Sequence, residues 1–217
     1  FSERHDKMCS YLYFSFLRGQ TMDSNFFALI SRMRYIARWG LMRNALPENI
    51  QEHSHMVAVL AHALGVIRRD IFHQPCDVNA LATAALYHDA SEILTGDLPT
   101  PIKYHNAEIM SAYHAVEDLA VQKLLGMLPP ELRETYADVL AEDKDGDIYP
   151  LVKAADKLSA YIKCIEERKA GNNEFLSAEA QTRAALEASP LPEVQYFLEH
   201  FIPAFERDLD ELGAIGQ

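Results

Sequence analysis

The sequence predicts an all-α fold in a single domain. Apolar residues recur at the helical period of about 3.6 almost throughout, and no useful strand alternation or internal repeat occurs. No linker is long or polar enough to divide the 217 residues. The composition, 49% hydrophobic and 24% charged, is ordinary for a globular protein, and a chain of this length buries roughly 70% of its unfolded surface. A substantial core is therefore expected.

The first two predicted helices each have one apolar face. The first begins at Ser24, a common type of N-cap, and ends near Trp39 and Gly40. Its apolar face is Phe26, Phe27, Leu29, Ile30, Met33 and Ile36. After a loop to Pro47, the second helix covers residues 49–69. Its apolar face is Met56, Val57, Leu60, Ala63, Leu64 and Ile67.

The third predicted helix covers residues 78–90, with Asp77 as its N-cap. It is nearly all apolar, so we expect it to be central and buried, with His88 and Asp89 in its last turn. Residues 95–101 follow as a turn-rich loop, because their two prolines exclude a helix interior.

The second half of the chain predicts five more helices, over residues 106–128, 131–140, 151–170, 174–188 and 193–212. Pro129 stops the first of these, Gly171 follows the third, and Pro203 interrupts the last. Residues 143–147 form a solvated loop. The whole pattern is one of helices joined by short connections.

The N-terminal 21 residues stand apart from this pattern. Residues 11–17 are apolar, but no small-residue cleavage site follows them, and the chain begins with Phe1 rather than Met. The regular helical pattern starts directly after Met22. We therefore interpret residues 22–217 as the domain and residues 1–21 as an upstream or non-core extension, with a short anchor as the alternative.

Charge and cysteine content exclude several classes of partner. A net charge of −12 argues against binding a nucleic acid polymer, which needs clustered Lys and Arg. A small phosphate substrate remains compatible, because a metal and one or two Arg reverse the field locally. No apolar run approaches the roughly 20 residues of a membrane span. The three cysteines, Cys9, Cys76 and Cys164, are odd in number and widely spaced, which predicts free thiols in a reducing, cytoplasmic compartment.

Four residues indicate a metal site: His53, His88, Asp89 and Asp156. Imidazole and carboxylate both bind first-row divalent metals, and a carboxylate on an apolar helix such as that of Asp156 needs a positive partner. Their wide spacing is unlike a zinc finger and fits a site assembled by packing three helices. Taken singly, each residue also has an ordinary structural explanation. The donors suit Mn²⁺, Co²⁺, Fe²⁺ or Zn²⁺ better than Mg²⁺.

Four runs carry a family resemblance: residues 38–44 (RWGLMRN), 52–54 (EHS), 87–101 (YHDASEILTGDLPTP) and 170–175 (AGNNEF). They resemble the YfbR-like 5′-deoxynucleotidases, and the order His…His-Asp…Asp resembles the HD-domain superfamily of metal-dependent phosphohydrolases to which these enzymes belong. The resemblance covers about residues 24–212. It implies an HD-domain helical bundle with one divalent metal per chain, Co²⁺ or Mn²⁺ being favoured, and the same four ligands.

The resemblance also assigns roles around the metal. Arg38 would bind the phosphate, for which the guanidinium fork is suited, although an Arg at a helix end is ordinarily a surface residue. Trp39 would lie near the sugar and discriminate against a 2′-hydroxyl, or close the first helix as a core aromatic. Glu92 would position or activate the attacking water. Asp97 would act as a second catalytic acid or bind the sugar, its alternative being turn chemistry.

The implied reaction is hydrolysis of deoxyribonucleoside 5′-monophosphates to deoxynucleoside and phosphate. Two alternatives stay open. One is another HD-domain enzyme, a phosphodiesterase or a deoxynucleoside triphosphate hydrolase, which usually needs more His ligands or more basic residues. The other is a non-catalytic, metal-stabilised ligand sensor, which has no need of Arg38 or Glu92. The resemblance further implies a homodimer, in which Phe197, Phe201 and Phe205 either supply an interface or complete the monomer core.

Overall fold

The computed structural model describes residues 23–103, 105–141 and 146–213. The predicted extension over residues 1–21, Met22 and most of the predicted loop at 143–147 lie outside the described residues, as does Cys9. The two other cysteines, Cys76 and Cys164, are free thiols, as predicted.

The described residues are built from α-helices and short helical turns, which confirms the all-α prediction. The helices are α1 (Phe26–Ile30), α2 (Ile50–Val66), α3 (Val78–Tyr87), α4 (Glu92–Thr95), α5 (Thr100–Lys103), α6 (Ala107–Gly126), α7 (Pro130–Leu140), α8 (Tyr149–Lys169), α9 (Leu176–Glu187) and α10 (Pro192–His200). Tighter 3₁₀ turns cover Ser31–Tyr35, Asn173–Phe175 and Ile202–Glu206, and a wider π turn, Ile67–Ile71, extends α2.

The core forms where α2 packs against α3 and α8. α2 and α3 approach each other closely at Gly65, where a Cβ atom would lie 2.9 Å from side-chain carbons of both Leu81 and Val78. A second cluster joins α1, α6 and α7 through Phe26, Leu124 and Leu140. Each fully buried aliphatic side chain contributes about 1.5–3 kcal/mol, so these clusters fix the three helices that carry the polar site described below.

Side-chain caps set the starts of the central helices. The Asn49 side chain accepts hydrogen bonds from the backbone N–H groups of Gln51 and Glu52, each at 3.1 Å, and so begins α2. Asp77 accepts from Asn79 and Ala80, each at 3.0 Å, which confirms the predicted cap of α3. Both caps satisfy N–H groups that have no partner inside the helix.

The first helix is shorter than predicted. It ends at Ile30, continues as a 3₁₀ turn to Tyr35 and then becomes extended at Ile36. The reason is long-range pairing, because backbone hydrogen bonds of 3.0 Å join residues 36–38 to residues 48–50. The N-cap residue is Asn25 rather than the predicted Ser24, whose hydroxyl donates to the Met127 carbonyl at 2.7 Å and accepts a longer hydrogen bond from the Phe26 backbone N–H at 3.4 Å.

Other boundaries also differ from the prediction, and residues 100–101, predicted as part of a loop, begin α5. α3 ends at Tyr87, so His88 and Asp89 lie in the turn after the helix rather than in its last turn. The last helix ends at His200, and Pro203 lies in a 3₁₀ turn, since proline has no N–H to continue the helical ladder.

Phe197 packs into the core and Phe201 is half exposed. None of the helices in the described part of the chain combines the length and apolar character needed to cross a bilayer.

Candidate metal centre and substrate site

Three helical regions bring the four predicted metal ligands together. His53 comes from α2, His88 and Asp89 follow α3, and Asp156 comes from α8. One donor atom each from His53, His88 and Asp156 lies within 4.8 Å of the others. The Asp89 Oδ2 atom is 3.2 Å from His88 Nε2 and 3.6 Å from His53 Nε2, and Asp156 Oδ1 is 3.0 Å from His53 Nε2. These distances suit donors that surround one small cation.

The far side of each imidazole ring is held by a hydrogen bond. His88 Nδ1 lies 2.8 Å from the Ala85 carbonyl oxygen, which requires a proton on Nδ1 and leaves Nε2 free to bind a metal. His53 Nδ1 lies 3.1 Å from the Ser159 hydroxyl. Neither Nε2 atom, although buried, makes a hydrogen bond within the described residues. Two orphaned ring nitrogens that face two carboxylates fit a divalent metal.

The charges in this cluster are strongly coupled. Burial opposes ionisation of Asp156, but the imidazoles of His53 and His88, with Arg38, hold the pKa of Asp156 below its usual range. Burial also opposes a charge on His88, yet the Asp89 carboxylate raises the pKa of His88. The carboxylates therefore stay ionised in a poorly solvated site, which creates a local demand for positive charge.

Arg38 and Trp39 lie beside this cluster, on the extended segment before α2. Arg38 Nη1 donates to Glu48 Oε2 at 2.6 Å. Burial disfavours its charge, but Glu48, followed by Asp156, Asp89 and Asp97, raises the pKa of Arg38. The guanidinium is thus held as a cation that faces the carboxylates of the cluster.

Trp39 is held in an uncommon backbone conformation. Its φ angle is 59°, in the left-handed region that few large residues adopt. Its backbone N–H donates to Asp97 Oδ2 at 3.2 Å, and its indole Nε1 donates to Glu48 Oε2 at 3.2 Å. The ring centroid of Phe175 lies 5.2 Å away. Several contacts from distant parts of the chain therefore fix Trp39, which is typical of backbone strain at a functional site.

Glu92 and Asp97 supply two further carboxylates. Glu92 begins α4, is 7% exposed, and has a buried Oε2 atom with no hydrogen-bond partner in the described part of the chain. Burial, reinforced by the carboxylates of Asp89 and Asp97, raises the pKa of Glu92 to about 10. Burial also raises the pKa of Asp97. A cation held by the neighbouring ligands would oppose both shifts, so the protonation of these groups is tied to the metal.

Sequence reasoning missed two residues of the site, Glu48 and Ser159. Glu48 holds both Arg38 and Trp39, but before the structure it was only an acidic residue beside a helix cap. The sequence could have indicated Ser159, because it follows Asp156 by three positions on one predicted helix and therefore lies on the same helix face. Side-chain partners at a site can be found in this way only when they lie on the same element.

Thr95 and Lys103 lie at the edge of the site, where both contact Tyr113. Lys103 Nζ donates to Glu117 at 2.9 Å and lies 4.5 Å from the ring centroid of Tyr113. The Thr95 hydroxyl donates to the Gly96 carbonyl at 3.1 Å. Lys103 acts electrostatically on Glu92, and it lowers the pKa of that group against the effect of burial.

Solved structures with this architecture identify the class of protein. An HD-domain phosphohydrolase from Listeria innocua matches with a TM-score of 0.75 and 25% identity, over 85% of this chain and 90% of its own. The HD phosphohydrolase DatZ of cyanophage S-2L, bound to dA and one catalytic Zn²⁺ ion, matches with a TM-score of 0.53 and 26% identity, over 85% and 96%. Fold and histidine–aspartate cluster together define an HD-domain, metal-dependent phosphohydrolase.

Sequence comparison then gives the particular family. Residues 25–205 match the sequence model of the family described as 5′-deoxynucleotidase YfbR-like. The 5′-deoxynucleotidases YfbR of Shigella boydii serotype 18 and Escherichia coli K12 are each 50% identical over 192 residues, which is 88% of this chain and 96% of each relative. The chain therefore belongs to the YfbR-like 5′-deoxynucleotidase family, as the sequence motifs predicted.

Proposed function

We propose that this protein is a metal-dependent 5′-deoxynucleotidase that hydrolyses deoxyribonucleoside 5′-monophosphates to deoxynucleoside and phosphate. The observation that carries the proposal is the pair of buried Nε2 atoms of His53 and His88. Among the described residues they have no hydrogen-bond partner, and they face two carboxylates beside the Arg38 guanidinium. This arrangement suits a metal and a phosphate group at adjacent positions. The relatives named 5′-deoxynucleotidase support the deoxynucleotide substrate.

His53, His88, Asp89 and Asp156 would hold the metal. When bound, a divalent ion lowers the pKa of water and neutralises charge on the phosphate. The mixed nitrogen and oxygen donors suit Mn²⁺, Co²⁺, Fe²⁺ or Zn²⁺ better than Mg²⁺, and the family resemblance favours Co²⁺ or Mn²⁺ among them. The Zn²⁺ ion of the cyanophage enzyme supports a single first-row-type metal.

The chain's own residues bind the substrate and move protons. Arg38 binds the phosphate oxygens and stabilises their charge as the phosphoryl group passes in line between the two oxygens. Glu92 orients the attacking water and accepts its proton, since metal loading favours the ionised carboxylate. Asp97 either protonates the departing 5′-oxygen or binds the sugar. Trp39, held by Asp97 and Glu48, presents its ring to the sugar and leaves no room for a 2′-hydroxyl.

Three broader features belong to the same proposal. Residues 22–217 form the functional domain, which the family match over residues 25–205 supports. The protein acts in the cytoplasm as a homodimer, without nucleic acid or membrane partners. The free thiols of Cys76 and Cys164 favour a reducing compartment, and the half-exposed Phe201 offers apolar area for a subunit contact.

The direct test is phosphate release from dAMP and from AMP, each with Co²⁺, Mn²⁺, Mg²⁺ or EDTA. We expect metal-dependent release that is much faster from dAMP. A parallel assay with dATP and a cyclic dinucleotide separates the other HD-domain activities by their products. Metal binding without turnover of any of these substrates would contradict the proposal and favour a ligand sensor.

The Glu92→Gln variant tests the assigned base within the same assay. Because Glu92 is not among the proposed ligands, we expect this variant to bind metal as the wild type does and to lose about 10²–10⁴-fold in kcat. Unchanged kcat with the metal bound would remove Glu92 from the mechanism.

A further inference from the structure

One carboxylate oxygen connects the two residues assigned to phosphate and sugar. Glu48 Oε2 accepts a hydrogen bond from Arg38 Nη1 at 2.6 Å and another from the indole Nε1 of Trp39 at 3.2 Å. The guanidinium carbon lies 5.9 Å from the indole centroid, so the two side chains also contact each other. Glu48 thus links the two side chains, and neither the guanidinium nor the indole can rotate without breaking its hydrogen bond to Glu48 Oε2.

The anchor of this set is rigid. The Arg38 backbone N–H donates to the Glu48 carbonyl at 3.0 Å, and Glu48 directly precedes Asn49, the cap of α2. The Glu48 side chain is only 16% exposed and that of Arg38 12%. Because α2 also carries His53, the position of Glu48 is fixed relative to the metal centre.

Trp39 needs such an anchor more than an ordinary residue does. Its left-handed backbone at φ 59° is costly for a large side chain, and it persists only where neighbouring contacts hold it. The Asp97 carboxylate holds the backbone N–H. The ring itself is held by Glu48 on its polar edge and by Phe175, whose centroid lies 5.2 Å away.

We propose that Glu48 is a positioning residue that sets the preference for deoxyribose by holding Arg38 and Trp39 in one fixed relation. This inference rests on the proposed function. A hydrogen bond to an ionised carboxylate is short and strong, and one that is shared by a guanidinium and an indole fixes their relative orientation. The phosphate held by Arg38 therefore determines where the sugar stands against the Trp39 ring. Without Glu48, the ring moves away and the 2′-hydroxyl is no longer excluded.

The chain offers a matched control. Glu48 and Glu166 line the same cavity of roughly 200 Å³ between α2 and α8. Glu166 is exposed, and the hydrogen bonds to Arg38 Nη1 and Trp39 Nε1 come from Glu48. Glu166→Ala therefore removes a carboxylate from the same cavity and leaves those two bonds in place.

The test measures kcat/KM for dAMP and AMP in the wild type and in Glu48→Ala, Glu48→Gln and Glu166→Ala. We expect Glu48→Ala to lower the dAMP-to-AMP ratio by about 10-fold or more, as for one lost charge-assisted bond. Glu48→Gln, which keeps one acceptor oxygen, should fall less. Glu166→Ala should keep the wild-type ratio. A Glu48→Ala enzyme with the wild-type ratio would overturn the proposal.

A second measurement does not need turnover. Trp39 is the only tryptophan of the chain, so the tryptophan fluorescence reports directly on the indole that Glu48 holds. We expect acrylamide to quench Trp39 more strongly in Glu48→Ala than in the wild type or in Glu166→Ala. Unchanged quenching would contradict the positioning role. A wild type that lacks deoxynucleotidase activity would instead contradict the proposed function, whatever the fluorescence of the variants.

Discussion

Helix α8 carries two polar clusters about two to three turns apart, and the two are built in opposite ways. At one end, Asp156 faces His53 and His88, whose Nε2 atoms have no hydrogen bond within the described residues. At the other end, Lys163 and Glu167 form an ion pair in which both groups are hydrogen-bonded. The same helix therefore holds one polar cluster that is complete and one that is not.

The complete cluster connects α8 to the loop before α2. The Glu167 side chain is fully buried and accepts from the backbone N–H groups of Ala45 at 2.8 Å and Leu46 at 3.0 Å, and from the Asn172 amide at 2.7 Å. Lys163 donates both to Glu167 and to the Leu46 carbonyl. Every lone pair that burial removes from water has a protein partner, so this cluster stabilises the fold.

In the histidine–aspartate cluster, by contrast, buried polar atoms lack partners among the residues that the structure describes. The carboxylates of Asp89 and Asp156 are held ionised, and the imidazoles are oriented from behind by Ala85 and Ser159. Imidazoles that are oriented from one side and unpaired on the other fit the proposed metal site. In these two clusters, the unsatisfied imidazole nitrogens lie at the proposed metal site, and the satisfied ion pair lies at a junction between a loop and a helix.

The largest expected effect is loss of activity on removing a proposed ligand. We expect Asp156→Asn to reduce phosphate release to the level of the EDTA-treated wild type, because the neutral amide is a poor ligand for the metal. Metal content measured after desalting should fall with it. The exposed Asp118→Asn on α6 is the control, and normal activity in Asp156→Asn would refute the ligand assignment.

The second prediction addresses the satisfied cluster. Glu167→Ala leaves Lys163 buried without its counter-charge, so we expect a loss of about 3–5 kcal/mol in the free energy of unfolding. For a chain of this size that corresponds to a fall of roughly 10 °C in the melting temperature. At temperatures where the Glu167→Ala variant is folded, its metal content should equal that of the wild type. A melting temperature equal to that of the wild type would show that the network is not structural.

The pH dependence of stability tests the same carboxylate. Burial opposes its charge, but the bonds from Lys163, Asn172 and the backbone of Leu46 and Ala45 lower the pKa of Glu167 to about 2. The folded pKa lies below the unfolded one, so its stabilisation is present above about pH 4.5 and is lost as the pH falls toward about 2. Urea unfolding across that window should show a shallower loss of stability for Glu167→Gln than for the wild type. Equal slopes would contradict this assignment.

The two clusters also show what sequence could and could not predict. Residue type and helix geometry predict His53, His88, Asp89 and Asp156 as one set. The structure places donor atoms of His53, His88 and Asp156 within 4.8 Å of one another and Asp89 beside the two imidazoles. The satisfied cluster was not foreseen, because its partners at residues 45–46 and at Glu167 are far apart in sequence and belong to a loop and a helix. Nothing in the local pattern distinguishes Glu167 from a solvated acidic residue at the end of a helix.

Long-range contacts that the local sequence does not reveal also explain why the first helix is shorter than predicted. Its apolar period continues past Ile30, yet pairing between residues 36–38 and 48–50 draws the backbone out of the helix. That pairing places Arg38 and Trp39 beside the metal cluster, so the error in the helix boundary falls where function overrides local propensity. The short run at 170–175 acquires a role in the structure, since Asn172 and Phe175 contact the loop that carries Trp39.

A smaller effect is expected behind the metal ligands. The Ser159 hydroxyl orients His53 through Nδ1 without touching the metal position, and loss of such a partner costs about 10–100-fold in metal affinity. We therefore expect Ser159→Ala to need a higher metal concentration for half-maximal activity and to reach nearly normal kcat at saturation. Ser159→Thr keeps the hydroxyl and serves as the comparison. Wild-type metal affinity in Ser159→Ala would mean that packing alone orients the ring.

The smallest effect is expected for an ion pair that resembles the satisfied cluster in chemistry and differs in exposure. Arg43 Nε lies 3.1 Å from Glu174 Oε2, but the Arg43 side chain is 92% exposed, so water competes for both groups. Exposed ion pairs stabilise proteins little, so we expect Arg43→Ala to change the free energy of unfolding far less than Glu167→Ala does. The Asn172 amide still donates to the Arg43 backbone carbonyl at 2.7 Å, so the loop stays in place and the dAMP-to-AMP ratio should not change. A loss as large as that of Glu167→Ala would show that charge pairing, and not burial with full hydrogen bonding, stabilises this end of α8.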